Sequence, residues 1–238
     1  MSKTTLERLK EIATKRAVPK QSSKDRFWTP QDGESIVRFL PAKNRENVFF
    51  KEFGEHWIDK KRYLCPKFTA GASCPICESV NSLYTAGDEE SVAMARLYKA
   101  RRQHYANVIV AGKEEEGPKV FKFGIKLANR VVDECVDEEL DISDLDNGLD
   151  YRIIRKKQDG YPNYDSSKAA KQKDNRKLTV EQVSAWYAKA EDLHTWIDSQ
   201  LQTYEELEKS FTGASSGEHV EKTEFNEDEF LKEMDERV

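Results

Sequence analysis

Four residues carry the clearest chemistry in this sequence: His56, Cys65, Cys74 and Cys77, with 8, 8 and 2 residues between successive members. Cys74-Pro-Ile-Cys77 turns tightly, so two thiolates can face one ion from a rigid knuckle. A third thiolate and an imidazole complete a tetrahedron, the preferred geometry of a structural Cys3His zinc site. Four protein ligands close the shell and leave no position for a reacting water, so the site reads as structural. His56 fits the local loop, with His104 and His194 as alternatives for the fourth place. In a reducing compartment such a cluster is more often metal-bound than disulfide-bonded. A redox C-x-x-C is disfavoured by the nearby third cysteine and histidine, and by the lack of a thioredoxin-like βαβ pattern. A zinc deaminase needs H-x-E and a proline before the first cysteine. Here the triplet is His56-Trp57-Ile58 and Ser73 precedes Cys74, which excludes it. Cys135 stands apart in an acidic stretch and reads as an ordinary semi-buried thiol.

Three segments interleave cations with aromatic rings: 98–105, 119–126 and 151–177, the last with 9 Lys+Arg against 3 Asp+Glu. Unpaired nucleic acid asks for this mixture, because cations track the phosphates while rings stack on bases. Duplex binding would use a recognition helix or paired zinc fingers, and neither pattern is present. The competing reading is structural. Phe121 and Phe123 alternate with Lys119 and Lys122, so one set can face a core, and rings are ordinary strand formers. Taken together on short strands of an OB-type barrel, they favour a binding groove.

The elements that must position these residues follow from pattern. The chain has 238 residues, 37% hydrophobic and 35% charged, which supplies a core for part of its length and leaves an arm or tail solvated. Residues 1–177 hold 34 Lys+Arg against 28 Asp+Glu, whereas 178–238 hold 5 against 16. A basic body with an acidic end suggests a polyanion ligand and a tail that mimics it. No apolar run approaches the roughly 18–20 residues of a spanning helix, and the first ten residues lack a signal-peptide stretch. The expectation is a soluble intracellular protein. Leu6, Leu9 and Ile12 share one face of a short basic helix or arm over 1–20, and 21–24 reads as a linker. Strands are predicted over 35–40, 48–53 and 105–111, the last pairing with 119–126 across a Glu-rich tip. A further strand covers 151–157. A helix is predicted over 88–98, and 133–150 reads as an acidic loop with a helical turn. Thr179 and Gln182 form a capping box opening a helical segment over 179–211, with room for one break. A flexible linker over 212–217 leads to an acidic end carrying Phe225, Phe230 and Leu231.

Set beside these strands, the zinc cluster makes the chain resemble the single-stranded DNA-binding (helix-destabilising) proteins of T-even-like bacteriophages. The matching stretches are Ile36-Val-Arg-Phe-Leu-Pro-Ala-Lys43, the cluster ending Ser73-Cys-Pro-Ile-Cys77, Tyr105-Ala-Asn-Val-Ile-Val110, Gly117-Pro-Lys-Val-Phe-Lys-Phe123, Gly160-Tyr-Pro-Asn-Tyr-Asp-Ser-Ser-Lys168 and Tyr204-Glu-Glu-Leu207. They run in family order over nearly the whole chain. The resemblance implies an α+β fold: an OB-fold-type β-barrel core with an inserted zinc-binding subdomain (about 54–100), flanking helices and a disordered acidic C-terminal tail. It divides the chain into a basic arm (1–20), a DNA-binding core (21–211) and a tail (212–238).

The same resemblance implies a non-enzymatic protein. It would coat single-stranded DNA cooperatively and with little sequence preference, removing secondary structure during phage replication, recombination and repair in the cytoplasm of an infected bacterium. It implies one structural Zn2+, no membrane, self-association through the arm (Lys3, Thr4, Thr5), and replication or recombination proteins recruited by the tail (Phe225, Phe230). The DNA-facing residues it implies are Tyr84, Arg101, Arg102, His104, Tyr105, Phe123, Tyr161 and Tyr164, with Lys99 and Lys122 nearby. Two departures stand out. The family's basic-then-hydroxyl runs are degenerate at Ser2–Thr5 and Lys99–Gln103, and His104 replaces a stacking aromatic. The alternative is a zinc-ribbon RNA-binding or translational regulatory protein. A zinc-dependent nuclease would need an open metal position and convergent acid/base residues, and the sequence offers neither.

Overall fold

β5 (Arg101–Val110) is the strand around which the rest is arranged, and its side chains are buried on both faces from His104 onward. The structure, a computed structural model, describes residues 23–158 and 160–215. On one face of β5, Ala106, Val108 and Val110 pack with Val37, Phe39, Phe121, Phe123, Tyr151 and Ile153. On the other, Tyr105 packs with Phe53, Val120, Leu193 and Ile197, and Ile109 packs with Leu40, Val183 and Ala190. Covering both faces explains why Ala106–Val110 reads as a near-continuous small and apolar run and not as an alternation.

Around it lie α1 (Ser23–Arg26), β1 (Phe27–Trp28), β2 (Gly33–Phe39), β3 (Phe50–Ile58), β4 (Lys61–Cys65), α2 (Pro66–Ala70), α3 (Pro75–Ala86) and α4 (Glu89–Tyr98). After β5 come β6 (Lys119–Gly124), α5 (Ile125–Asp137), β7 (Asp150–Gln158), β8 (Tyr161–Asn163), β9 (Lys168–Ala169), α6 (Val180–Lys189), α7 (Leu193–Asp198) and α8 (Tyr204–Ser215). β5 pairs antiparallel with β6 along one edge (His104↔Phe123). Its other edge is shared in succession by β3 (Phe50↔Ala106) and β2 (Val37↔Val110). The sheet runs β1-β6-β5-β2-β7-β8, with β4 on β3 and β9 on β7. The described residues form a mixed α+β fold with a nine-stranded sheet.

Three expectations change in detail. The strand predicted over 48–53 extends to Ile58 and turns back as β4 through Asp59 and Lys60, both with positive φ (50° and 62°). A two-residue hairpin needs that conformation, normally supplied by Asn-Gly, so Asp-Lys hides the turn from a sequence reader. Residues 125–137 form a helix whose Leu127, Ala128 and Val131 are buried, where the sequence predicts a strand to 126 and an acidic loop with a helical turn from 133. The segment 179–211 breaks twice. Ala190 is extended and Asp192 caps α7 by accepting from the Thr195 N–H. Thr203 and Glu206 then exchange reciprocal bonds at the start of α8, a second capping box. The first box, Thr179 with Gln182, is present.

Among the described residues, no helix is long and apolar enough to cross a membrane. The sites placed on the arm (Lys3, Thr4, Thr5) and tail (Phe225, Phe230) lie outside the described residues.

Candidate metal centre and nucleic-acid interface

The β3–β4 hairpin and the starts of two helices bring the cluster together. His56 lies on β3 opposite Tyr63. Cys65 ends β4 and caps α2, and Cys74 caps α3, whose first turn carries Cys77. Both helices begin with proline, whose fixed φ suits the first helical position and sends the chain abruptly out of the extended conformation. Gly54 is required beneath Cys65. A Cβ there would lie 2.7 Å from the Phe68 Cβ and 2.9 Å from the Cys65 Cβ, so β3 could not pass.

The Sγ atoms of Cys65 and Cys77 are 3.5 Å apart, and His56 Nε2 lies 3.5 Å from Cys74 Sγ and 3.6 Å from Cys77 Sγ. All four ligand atoms fall within 4.8 Å of one another. The 3.5 and 3.6 Å separations are close to the edges of a tetrahedron with metal–sulfur bonds of about 2.3 Å. His56 Nδ1 donates to the Tyr98 carbonyl at 2.7 Å, which turns the Nε2 lone pair toward the sulfurs. Without a cation the thiols compete for protons. Cys74 is driven well below the ordinary thiol range by hydrogen bonds from Cys65 and Cys77, while the same kind of contacts push Cys77 far above it. Burial opposes the charged form of His56, but bonds to Cys65, Cys74 and Tyr98 outweigh it and raise the imidazole to about 9. Three crowded sulfurs that cannot all ionise alone are the donor set a divalent cation satisfies. His56 is therefore the fourth member. His104 and His194 are elsewhere, His194 with Nε2 against the Val48 carbonyl.

The ten residues singled out for nucleic acid separate into two groups. Tyr84 on α3 (42% exposed), Lys99, Arg102 and Tyr161 on β8 (44% exposed) are at the surface, and Arg101 and Tyr164 are half-buried. Phe123, His104 and Tyr105 are core residues, 4%, 2% and 3% exposed. His104 stacks on Phe123, ring centroids 5.4 Å apart, with its Nε2 3.8 Å from Glu52. Burial lowers its proton affinity, against the opposing pull of Glu52. Tyr105 lies between Phe53 and Trp196 and accepts from Arg62 at its hydroxyl. Lys122 is paired with the fully buried Glu55 at 2.9 Å. No surface stacking position falls on these last four.

Two acids on β3 organise this region and were not anticipated. Glu52 accepts from Arg102, which holds its carboxyl below the usual carboxylate range. Glu55 takes Lys122 and lies 3.9 Å from Arg62. The register places Glu52 opposite His104 and Glu55 opposite Arg101. Their spacing of three in an alternating strand puts them on opposite faces, so neither stood out in the sequence. The basic run 151–177 becomes β7, β8 and β9. Its Arg176 is tied inward to Asp150 and Glu114, and Asp150 also pairs with buried Arg38.

The model for the family described as gp32 DNA binding protein like matches residues 31–213. Two relatives, each called a single-stranded DNA-binding protein, come from Enterobacteria phages T4 and T2. Each is 34% identical over 157 residues, covering 58% of this chain and 50% of the relative. The chain thus aligns with about half the length of these curated relatives.

Proposed function

Because the chain belongs to the gp32-like DNA-binding family, we propose that it binds and coats single-stranded DNA cooperatively, with little sequence preference and without catalysis. It would hold template open during phage replication, recombination and repair in the infected cell. The observation that carries this reading is the family match over 31–213 together with the buried Cys3His cluster beside β5. In this reading the β-sheet is an OB-type barrel, and the region about 54–100 is a subdomain cross-linked by one Zn2+. His56, Cys65, Cys74 and Cys77 hold the ion, which supplies rigidity and no reacting group.

The contacts are assigned by exposure. Tyr84, Tyr161 and Tyr164 offer rings to bases, and Lys99, Arg101 and Arg102 offer charge to phosphates. His104, Tyr105, Lys122 and Phe123 act beneath them, fixing the sheet that carries Arg101, Arg102 and Tyr161. The arm (1–20) contacts the neighbouring protomer, and the acidic tail (212–238) competes with DNA and recruits replication proteins.

Competition for a labelled dT oligonucleotide tests the reading. Unlabelled dT of the same length should displace it at concentrations at least tenfold below those needed for matched RNA or duplex DNA. Stronger displacement by RNA would turn the assignment toward an RNA-binding regulator.

A further inference from the structure

A groove of about 530 Å3 opens on the side of the sheet between the 41–50 loop and α5. Val48, Phe49, Phe50, Val132, Cys135 and Val136 give it an apolar lining, edged by polar and charged residues of the 41–50 and 140–145 segments. Val48, Val132 and Val136 are 59%, 41% and 68% exposed, unusual for three valines gathered at one opening. Three acids line the groove, Glu46, Asp141 and Asp144, and the exposed Asp137, Glu138 and Glu139 stand at the end of α5 beside it. Arg45 contributes one cation to the lining.

An occupant must bring an apolar stripe edged with positive charge. This chain has one segment of that kind. Residues 1–20 hold six Lys+Arg against two Asp+Glu, with Leu6, Leu9 and Ile12 at helical spacing. The other end of the chain is unsuited, because residues 212–238 carry nine acids against three cations and would be repelled by the same acids. We propose that the groove receives the basic arm, residues 1–20, of a neighbouring copy, and is the surface through which adjacent protomers on one strand join. This rests on the reading of the protein as a cooperative single-strand coat and adds the receiving surface to it.

The test uses full-length protein. Val132→Lys/Val136→Lys places two cations in the groove at exposed positions outside the proposed DNA contacts, and Leu6→Asp/Leu9→Asp disables the arm. Cooperativity is read as the ratio of affinity for poly-dT to affinity for an oligonucleotide that holds one protein. The groove variant should lower that ratio at least tenfold, keep wild-type affinity for the short oligonucleotide and keep its melting temperature. Combining it with the arm variant should cost no more than either alone. If the groove variant keeps wild-type cooperativity while the arm variant loses it, the groove is not the receiver, though the coating function stands. Equal loss on short and long DNA would make the groove a DNA contact and overturn the proposal. A wild-type ratio near one would remove cooperative coating itself, and the groove assignment with it.

Discussion

His56 Nδ1 donates to the Tyr98 carbonyl at 2.7 Å while its Nε2 faces the sulfurs of Cys74 and Cys77. One imidazole thereby ties β3 to the end of α4, just before the chain enters β5. The Cys3His cluster is thus joined mechanically to the strand that carries Arg101 and Arg102, and a change at the cluster should be felt there.

Metal removal is the direct check of that link. Chelation, or Cys74→Ser, should abolish stoichiometric zinc and lower the melting temperature by roughly 10 °C. That corresponds to about 3–4 kcal/mol lost when a ligand well above its Kd is withdrawn. Affinity for poly-dT should weaken with it. Unchanged melting after verified zinc loss would show that the cluster does not support the fold.

The Lys122–Glu55 pair separates a structural cation from a DNA contact. Lys122→Met takes from the buried Glu55 its 2.9 Å partner and leaves Arg62 at 3.9 Å. It should destabilise the protein by about 3 kcal/mol, at the low end of what breaking a buried pair costs. Glu55→Gln in the same chain should restore part of this. Affinity for a short dT oligonucleotide, measured well below the melting temperature, should change less than threefold. A tenfold loss would make Lys122 a phosphate ligand.

Exposure should sort the tyrosines. Tyr161→Ala should weaken dT binding roughly tenfold, consistent with about 1–3 kcal/mol per stacked base, and leave the melting temperature near wild type. Tyr105→Ala should instead cost about 3–5 kcal/mol of stability, as for a buried aromatic whose cavity cannot collapse. Urea titration together with oligonucleotide binding on both variants distinguishes the two roles.

His104 predicts a pH dependence with a definite sign. Burial lowers its proton affinity below that of the unfolded chain, where histidine titrates near 6.5. The unfolded state therefore binds more protons below that pH. The stability His104 supports is complete above about 6.5 and is lost progressively as pH falls toward its lower folded value. The drop in urea midpoint between pH 7.5 and 5.5 should be smaller in His104→Phe, which keeps a ring against Phe123 and Phe50. An equal drop in both proteins would assign the pH dependence to other groups.

The cluster was legible in sequence because metal ligation leaves few choices: three thiols and a histidine at short intervals, held by proline-started helices. The central strand and its hairpin partner were legible as strands from their β-branched and aromatic runs on either side of a Glu-rich tip, although the sequence left open which rings of 119–126 are buried. The rings were not sortable. Tyr105 and Tyr161 each follow a basic run, Arg101-Arg102 and Arg155-Lys156-Lys157, and the register of β5 between β3 and β6 buries the first. The long helical stripe misled because its apolar spacing continues across 190–203, while the breaks depend on polar caps at Asp192 and Thr203. The helix over 125–137 was hidden because its outward positions mix Lys126, Arg130, Asp133 and Asp137 with Val132 and Val136, which blurs the apolar period. The role of Glu55 required knowing that Lys122 is its neighbour, 67 residues away.

The central claim is that exposed rings and cations on this fold hold unpaired DNA. The most direct measurement is a salt titration of binding to poly-dT and to duplex DNA, followed by intrinsic fluorescence. Quenched emission on poly-dT is predicted, with log affinity falling linearly with log salt at about 0.7 per phosphate neutralised, and far weaker binding to duplex. Equal affinity for both, with the same salt slope and no quenching, would leave a basic surface without a stacking groove and contradict the account.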